Sequence, residues 1–194
     1  MLDLKLANHS GHQETIRKVQ WALLKAKQVR GQYVSPYLTK PARLTLHPYR
    51  LCLVRQAWYL IARAAKDDEP KTYRIPRFRT LQMLDEDALV PEDFDLKAYF
   101  GNAWGVLRGG ELHDVAIRFA PEAATQVTET KWHHTQIVQR HGDGSVTLCF
   151  QVDGLDEILW WLLGWTGFAT IEEPKELREA LVAQLRQGLD RNSW

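Results

Sequence analysis

The hydrophobic pattern changes period along the chain. From Gln13 to Lys27 apolar residues recur at Ile16, Val19, Leu23 and Ala26, near helical spacing, and Gly31 follows. Short alternating runs come next: Val29–Val34, Arg43–Leu46, Leu51–Val54, Ala57–Ala62, Lys71–Ile75 and Phe78–Met83. Pro36, Pro41, Pro48, Asp67-Asp68-Glu69-Pro70 and Pro76 punctuate them. Many short strands at this spacing predict a small antiparallel barrel or sheet behind an N-terminal helix.

The pattern then changes again. Asp85 to Gly110 carries acids, Pro91 and four glycines, and reads as a linker with a short element around Leu96–Phe100. Beyond it the spacing predicts a strand (Leu112–Phe119), a helix opening at Pro121 (Glu122–Glu129), and a hairpin. The hairpin pairs Thr135–Arg140 with Val146–Val152 across His141-Gly142-Asp143-Gly144. A helix (Leu155–Leu163), a strand (Thr166–Ile171) and a helix from Pro174 to Leu189 complete the chain. The order βαββαβ is that of a ferredoxin-like split βαβ sandwich. The expected fold is thus mainly β followed by α+β, with domains at 1–84 and 111–194 and a linker at 85–110.

Charge sharpens this division. Residues 1–84 hold 16 Lys+Arg against 5 Asp+Glu, a net of +11, and residues 85–194 hold 9 against 19, a net of −10. The total of +1 hides a basic module joined to an acidic one, and the basic part can hold a polyanion. The two cysteines, Cys52 and Cys149, each sit inside an apolar run and read as buried thiols of a cytoplasmic protein. MLDLKLANHSGHQET has no apolar segment, so no signal peptide is expected. The longest apolar stretch, Ile158 to Trp165, is far shorter than the roughly 20 residues of a membrane span.

The motifs resemble a known family. Trp58-Tyr59-Leu60 follows His47-Pro48-Tyr49 by about a dozen residues and precedes Thr72-Tyr73-Arg74-Ile75-Pro76-Arg77-Phe78 by a similar interval. This ordered series resembles the WYL domain of bacterial regulators. The second part resembles the extension that follows such domains, through Phe94-Asp95-Leu96 with Tyr99-Phe100, Ala116-Ile117-Arg118-Phe119, Lys131-Trp132-His133, Trp161-Leu162-Leu163-Gly164 and Glu173-Pro174-Lys175-Glu176-Leu177-Arg178. The resemblance implies an Sm-like, SH3-like β-barrel. It also implies a basic groove for single-stranded nucleic acid or a nucleotide-type effector, and a homodimer. Relatives usually carry an N-terminal winged helix-turn-helix. Nothing before Gln13 is expected to hold one, so promoter DNA would need a helix-turn-helix outside this chain. The chain is expected to be either a piece of a regulator or a stand-alone sensor.

The candidate binding residues are Ser35, His47, Tyr59, Arg63, Arg74, Arg77 and Arg79. Strand alternation puts Trp58 and Leu60 on one face and Tyr59 on the other, where it can stack against a base. Arg74, Arg77 and Arg79 fall within six positions without an interleaved acid, and guanidinium groups match phosphate with paired donors. Carried over from the family, Arg74 and Arg77 are the best-supported pair. Ser35 and His47 fit family positions facing the groove, and Tyr33 and Tyr49 are weaker candidates. Pro76 stands where the family has an acid. His133-His134 have no ligand-spaced partners and read as a packing corner, so no metal is expected; with no nucleophile, Gly-rich or His-Glu-x-x-His motif in the chain, no cofactor or enzymatic activity is expected either. The alternative reading is an interaction protein whose basic and acidic halves drive assembly.

Overall fold

The computed structural model describes residues 10–36 and 39–193. The chain divides into two compact units, Met1–Leu96 and Lys97–Trp194.

The first unit opens with α1 (Gln13–Leu24), followed by β1 (Lys27–Tyr33), β2 (Ala42–Val54), β3 (Ala57–Ala64), β4 (Pro70–Arg74) and β5 (Phe78–Asp87). The strands form one antiparallel sheet in the order β4-β3-β2-β1-β5. Val19 and Ala22 of α1 enter its core with Val29, Leu46, Leu60 and Ile75. No pairing between β4 and β5 closes a barrel among the described residues. The expected barrel is therefore a five-stranded sheet whose ends are drawn together by other means. A short 3-10 turn, Ile75–Arg77, joins β4 to β5 with Pro76 in its first turn, where a missing N–H costs nothing. The Tyr33 hydroxyl of β1 accepts the Arg74 N–H of β4 at 3.1 Å, and the Val34 N–H donates to the Arg77 carbonyl at 2.9 Å. Tyr33 also meets Tyr73 and Phe78 edge-on, with centroids 5.2 and 4.9 Å apart.

Two boundaries differ from expectation for one reason each. Pro48 does not separate two strands but lies inside β2. The ladder to β3 shifts between Pro48 and Arg50, and a bulge is where a strand tolerates a missing donor. Asp85 to Asp87 belong to β5 rather than to a linker, held by Lys27, whose ammonium donates to the Asp85 carbonyl and pairs with the Asp87 carboxylate. Ala88 N–H then bonds the Ala26 carbonyl, and Phe94 packs edge-on against Tyr49 at 4.9 Å. The acidic segment up to Asp95 thus folds with the first unit, which holds 16 Lys+Arg against 11 Asp+Glu, a net of +5.

A short helix, α2 (Leu96–Phe100), begins at the division, and the second unit continues with β6 (Leu112–Phe119), α3 (Pro121–Thr128), β7 (Ile137–Arg140), β8 (Val146–Asp153), α4 (Asp156–Leu162), β9 (Ala169–Glu173) and α5 (Lys175–Asn192). Its antiparallel sheet runs β7-β8-β6-β9, and after α2 the elements follow the expected βαββαβ order with α5 added. Alternation is clean: Val115, Ile117 and Phe119 of β6 and Val146, Leu148, Phe150 and Val152 of β8 face one core. Trp132, Trp161 and Trp165 pack at its margin, and Trp132 donates its indole N–H to the Val127 carbonyl at 2.9 Å, so this segment is the packing corner expected. Trp160 points outward. Both cysteines are free and only half-buried, a correction to the buried reading, and burial still pushes each thiol up. No helix among the described residues is long and apolar enough to cross a membrane.

Candidate nucleic-acid interface

Register decides which candidate residues meet. On the face of β2–β3–β4 opposite Leu60 and Ala62, where Ile61 is itself fully buried, directly paired positions form rows. Cys52, Tyr59 and Arg74 make one row, Arg50, Ile61 and Thr72 the next, and His47, Arg63 and Pro70 the third. Side chains paired directly across an antiparallel ladder lie about 5 Å apart at Cβ, so Tyr59 and Arg74 are neighbours. Trp58 and Leu60 face the core as alternation predicts, and Leu60 is fully buried. Tyr59 is half-buried. Arg74 is half-buried as well, and its Nε is shielded from solvent with no hydrogen-bond partner among the described residues. A buried guanidinium donor left unpaired is costly, so this is a point where an anion would be stabilised.

The third row is occupied from within the unit. His47 is 5% exposed, and its Nδ1 accepts the Leu89 N–H at 3.0 Å. That bond fixes the tautomer with the proton on Nε2. Burial, and then the adjacent Arg63 guanidinium, hold the His47 pKa below the ordinary histidine value. Arg63 donates from Nε to the Tyr49 hydroxyl at 3.3 Å and from a terminal nitrogen to the Asp67 carbonyl at 3.1 Å. His47 and Arg63 therefore brace the sheet. Tyr49 and Tyr33, the weaker candidates, are buried supports for Arg63 and for the Arg74 backbone.

Arg77 and Arg79 come together elsewhere. With Val34, Pro36 and Pro76 they line a shallow concavity of about 410 Å³. The burial pattern along Phe78-Arg79-Thr80-Leu81 is in, out, out, in. The reason is the register shift opposite Gln32 and Tyr33: Tyr33 pairs with Phe78 and Gln32 with Thr80, so Arg79 is the extra, bulged residue. Ser35 lies between Val34 and Pro36 at the same rim and is half-buried. Seven candidates thus fall into three places: the Tyr59–Arg74 pair, the Arg77–Arg79 concavity with Ser35 at its edge, and the internally bonded His47–Arg63 row.

A second concavity, about 390 Å³, was not foreseen; Lys18, Arg30 and Arg43 line it. The signal was available, since Arg30 and Gln32 share parity on β1 and Arg43 and Thr45 share it on β2. Their convergence required the register that pairs Arg43 with Gln32 and Arg30 with Thr45.

A helix-backed five-stranded antiparallel sheet followed by an α+β unit on a four-stranded antiparallel sheet defines a two-unit, mixed α+β protein. Family models identify the parts: a WYL domain matches residues 14–83 and a WCX domain matches residues 111–189. The chain belongs to the WYL-domain family, with the WCX domain as its C-terminal extension. Among solved structures it is similar to a CRISPR Cas-related protein, with 12% identity, a TM-score of 0.58, and coverage of 92% of this chain and 52% of that one. It is also similar to proteasome accessory factor B/C of Arthrobacter aurescens, with 15% identity, a TM-score of 0.41, and coverage of 97% of this chain and 28% of that one. The chain therefore spans about half the length of the first relative and under a third of the second. No curated protein matches it.

Proposed function

We propose that the chain is the effector-sensing part of a WYL-type transcriptional regulator, and that the first unit binds an anionic, nucleic-acid or nucleotide-type effector. The observation that carries this reading is the cross-strand pairing of Tyr59 with Arg74, whose buried Nε has no hydrogen-bond partner among the described residues. In this reading phosphates pair with Arg74, Arg77 and Arg79, and a base stacks on Tyr59. Such stacking contributes about 1–3 kcal/mol per base and tolerates sequence variation. His47 and Arg63, two rows along the same face, brace the sheet. The module is non-enzymatic. We also assign it an Sm-like lineage for the first unit, a ferredoxin-like one for the second, and a homodimeric assembly. Contacts to promoter DNA would belong to a helix-turn-helix in another segment or protein.

Fluorescence anisotropy with short labelled single-stranded DNA and RNA at two salt concentrations tests the reading. Salt-sensitive binding that disappears in Arg74→Ala with Arg77→Ala is the expected result, because each neutralised phosphate releases counterions. Binding by the double variant equal to that of the parent overturns it.

A further inference from the structure

The unforeseen concavity and the Arg77–Arg79 concavity follow one another along a single ladder. β1 supplies Gln32 to the first, and the chain just beyond it supplies Val34 and Pro36 to the second. β5 supplies Thr80 and Gln82 to the first and, one step back, Arg79 to the second. The Gln32 N–H donates to the Thr80 hydroxyl at 3.2 Å and the Val34 N–H to the Arg77 carbonyl at 2.9 Å, so the strands stay laced across the junction. At about 3.3 Å per residue, the run from Arg77 to Gln82 is roughly 17 Å long.

The side chains along this run suit a phosphodiester strand. On the outward face Arg43, Gln32 and Thr80 form one cross-strand row, and Thr45, Arg30 and Gln82 form the next. Arg30 is oriented by its Nε donating to the Thr45 hydroxyl at 3.2 Å. Among the described residues no carboxylate lines either concavity, although Lys18 at the rim pairs with Glu14 at 2.6 Å. Cations spaced along a furrow, with amides and hydroxyls between them, match a chain of phosphates better than one compact anion. A single-residue effector would need only one of the two depressions.

We propose that Arg30 and Arg43, with Lys18 at the rim, form a second phosphate-binding stretch continuous with Arg77 and Arg79. The effector is then a single-stranded oligonucleotide several residues long, laid along the β1–β5 ladder. This rests on the reading of the first unit as a nucleic-acid sensor and specifies the length and path of its ligand.

The test uses the full chain with labelled oligo-dT of 4 and 12 nucleotides. The parent binds the 12-mer more tightly than the 4-mer. Arg30→Ala with Arg43→Ala weakens the 12-mer on the order of tenfold and lowers the slope of log affinity against log salt by about 1.4, two single-strand phosphate contacts' worth. Arg30→Lys with Arg43→Lys retains most of the binding, since charge is kept. Circular dichroism and the melting midpoint establish that each variant folds; should the alanine pair fail to fold, Arg30→Gln with Arg43→Gln reads the same contrast. If the Arg30/Arg43 variants bind the 12-mer as the parent does while Arg74→Ala with Arg77→Ala loses it, the extended track is overturned and the sensor reading stands. If the parent itself binds neither oligonucleotide, both fall.

Discussion

The two units use arginine differently, although Arg50 and Arg63 of the first also serve its own fold. In the second unit arginines serve the fold: Arg118 donates to the Ser145 hydroxyl and pairs with Asp143, and Arg178 donates to the Ile171 and Glu172 carbonyls. Arg108 lies over the Tyr99 ring at 4.0 Å. In the first unit Arg30, Arg43, Arg77 and Arg79 line concavities with amides, hydroxyls, glycine and proline, and the buried Arg74 Nε has no hydrogen-bond partner among the described residues. Cations kept away from carboxylates repel one another, and that repulsion is lifted by an anionic ligand. The contrast shows that charge count alone does not locate a site. What matters is whether the fold spends each guanidinium internally.

The sharpest way to break this comparison is to unfold one side of it. Leu60→Ala and Leu148→Ala each remove a fully buried leucine from a different core. Each should destabilise its own unit by about 2–5 kcal/mol. Calorimetry should show different transitions lowered, and only Leu60→Ala should abolish oligonucleotide binding.

Tyr33→Phe comes next. It deletes the acceptor of the Arg74 N–H and should cost about 1–3 kcal/mol. Because that bond holds β4 to β1, it should also weaken oligonucleotide binding, read by anisotropy, although Tyr33 itself is buried. Unchanged affinity in a destabilised variant would separate the strut from the site.

Acid sets up a subtler contrast, because among the described residues each unit buries one histidine, His47 in the first and His133 in the second. His47 and His133 are both shifted down chiefly by burial, with Arg63 and His134 respectively adding to it. Each unfolded histidine takes up a proton near its ordinary pKa of about 6.5. Stability is therefore full above that pH and is lost as pH falls through the lower folded pKa, by at most about 1.4 kcal/mol per pH unit for each residue. Melting midpoints from pH 8 to pH 5 should fall for both units, and His47→Gln should remove the pH dependence of the first unit alone. The smallest effect is expected from Lys71→Gln, which breaks the exposed pair with Asp67. Denaturant titration should register no more than about 0.5 kcal/mol.

Much of the architecture was legible because local chemistry and tertiary environment agree. The helical spacing of Ile16, Val19 and Leu23, the alternation through Leu112–Phe119, and the glycine-rich hairpin before Ser145 each specify their element. In that hairpin Asp143 accepts from the Ser145 hydroxyl and N–H, and these bonds, with Arg118 adding to them, hold its carboxyl down at about 2. The β2–β3 turn was not legible. Arg55 and Gln56 both adopt positive φ, 45° and 65°, without the Asn or Gly that advertises such a turn, because the paired strands on either side impose it.

Composition and parity by themselves determined a basic module ahead of an α+β module, the inward pair Trp58 and Leu60, and the outward Tyr59. They also determined which arginines were available. Tertiary structure decided which arginines meet. The bulge at Arg79 shifts parity, the register sets Arg74 beside Tyr59 and Arg43 beside Gln32, and the segment after β5, through the Leu89 N–H, covers His47. The physical reason is that side-chain direction follows from one residue's backbone, whereas a binding surface depends on the register between strands far apart in sequence, which only the packed core fixes.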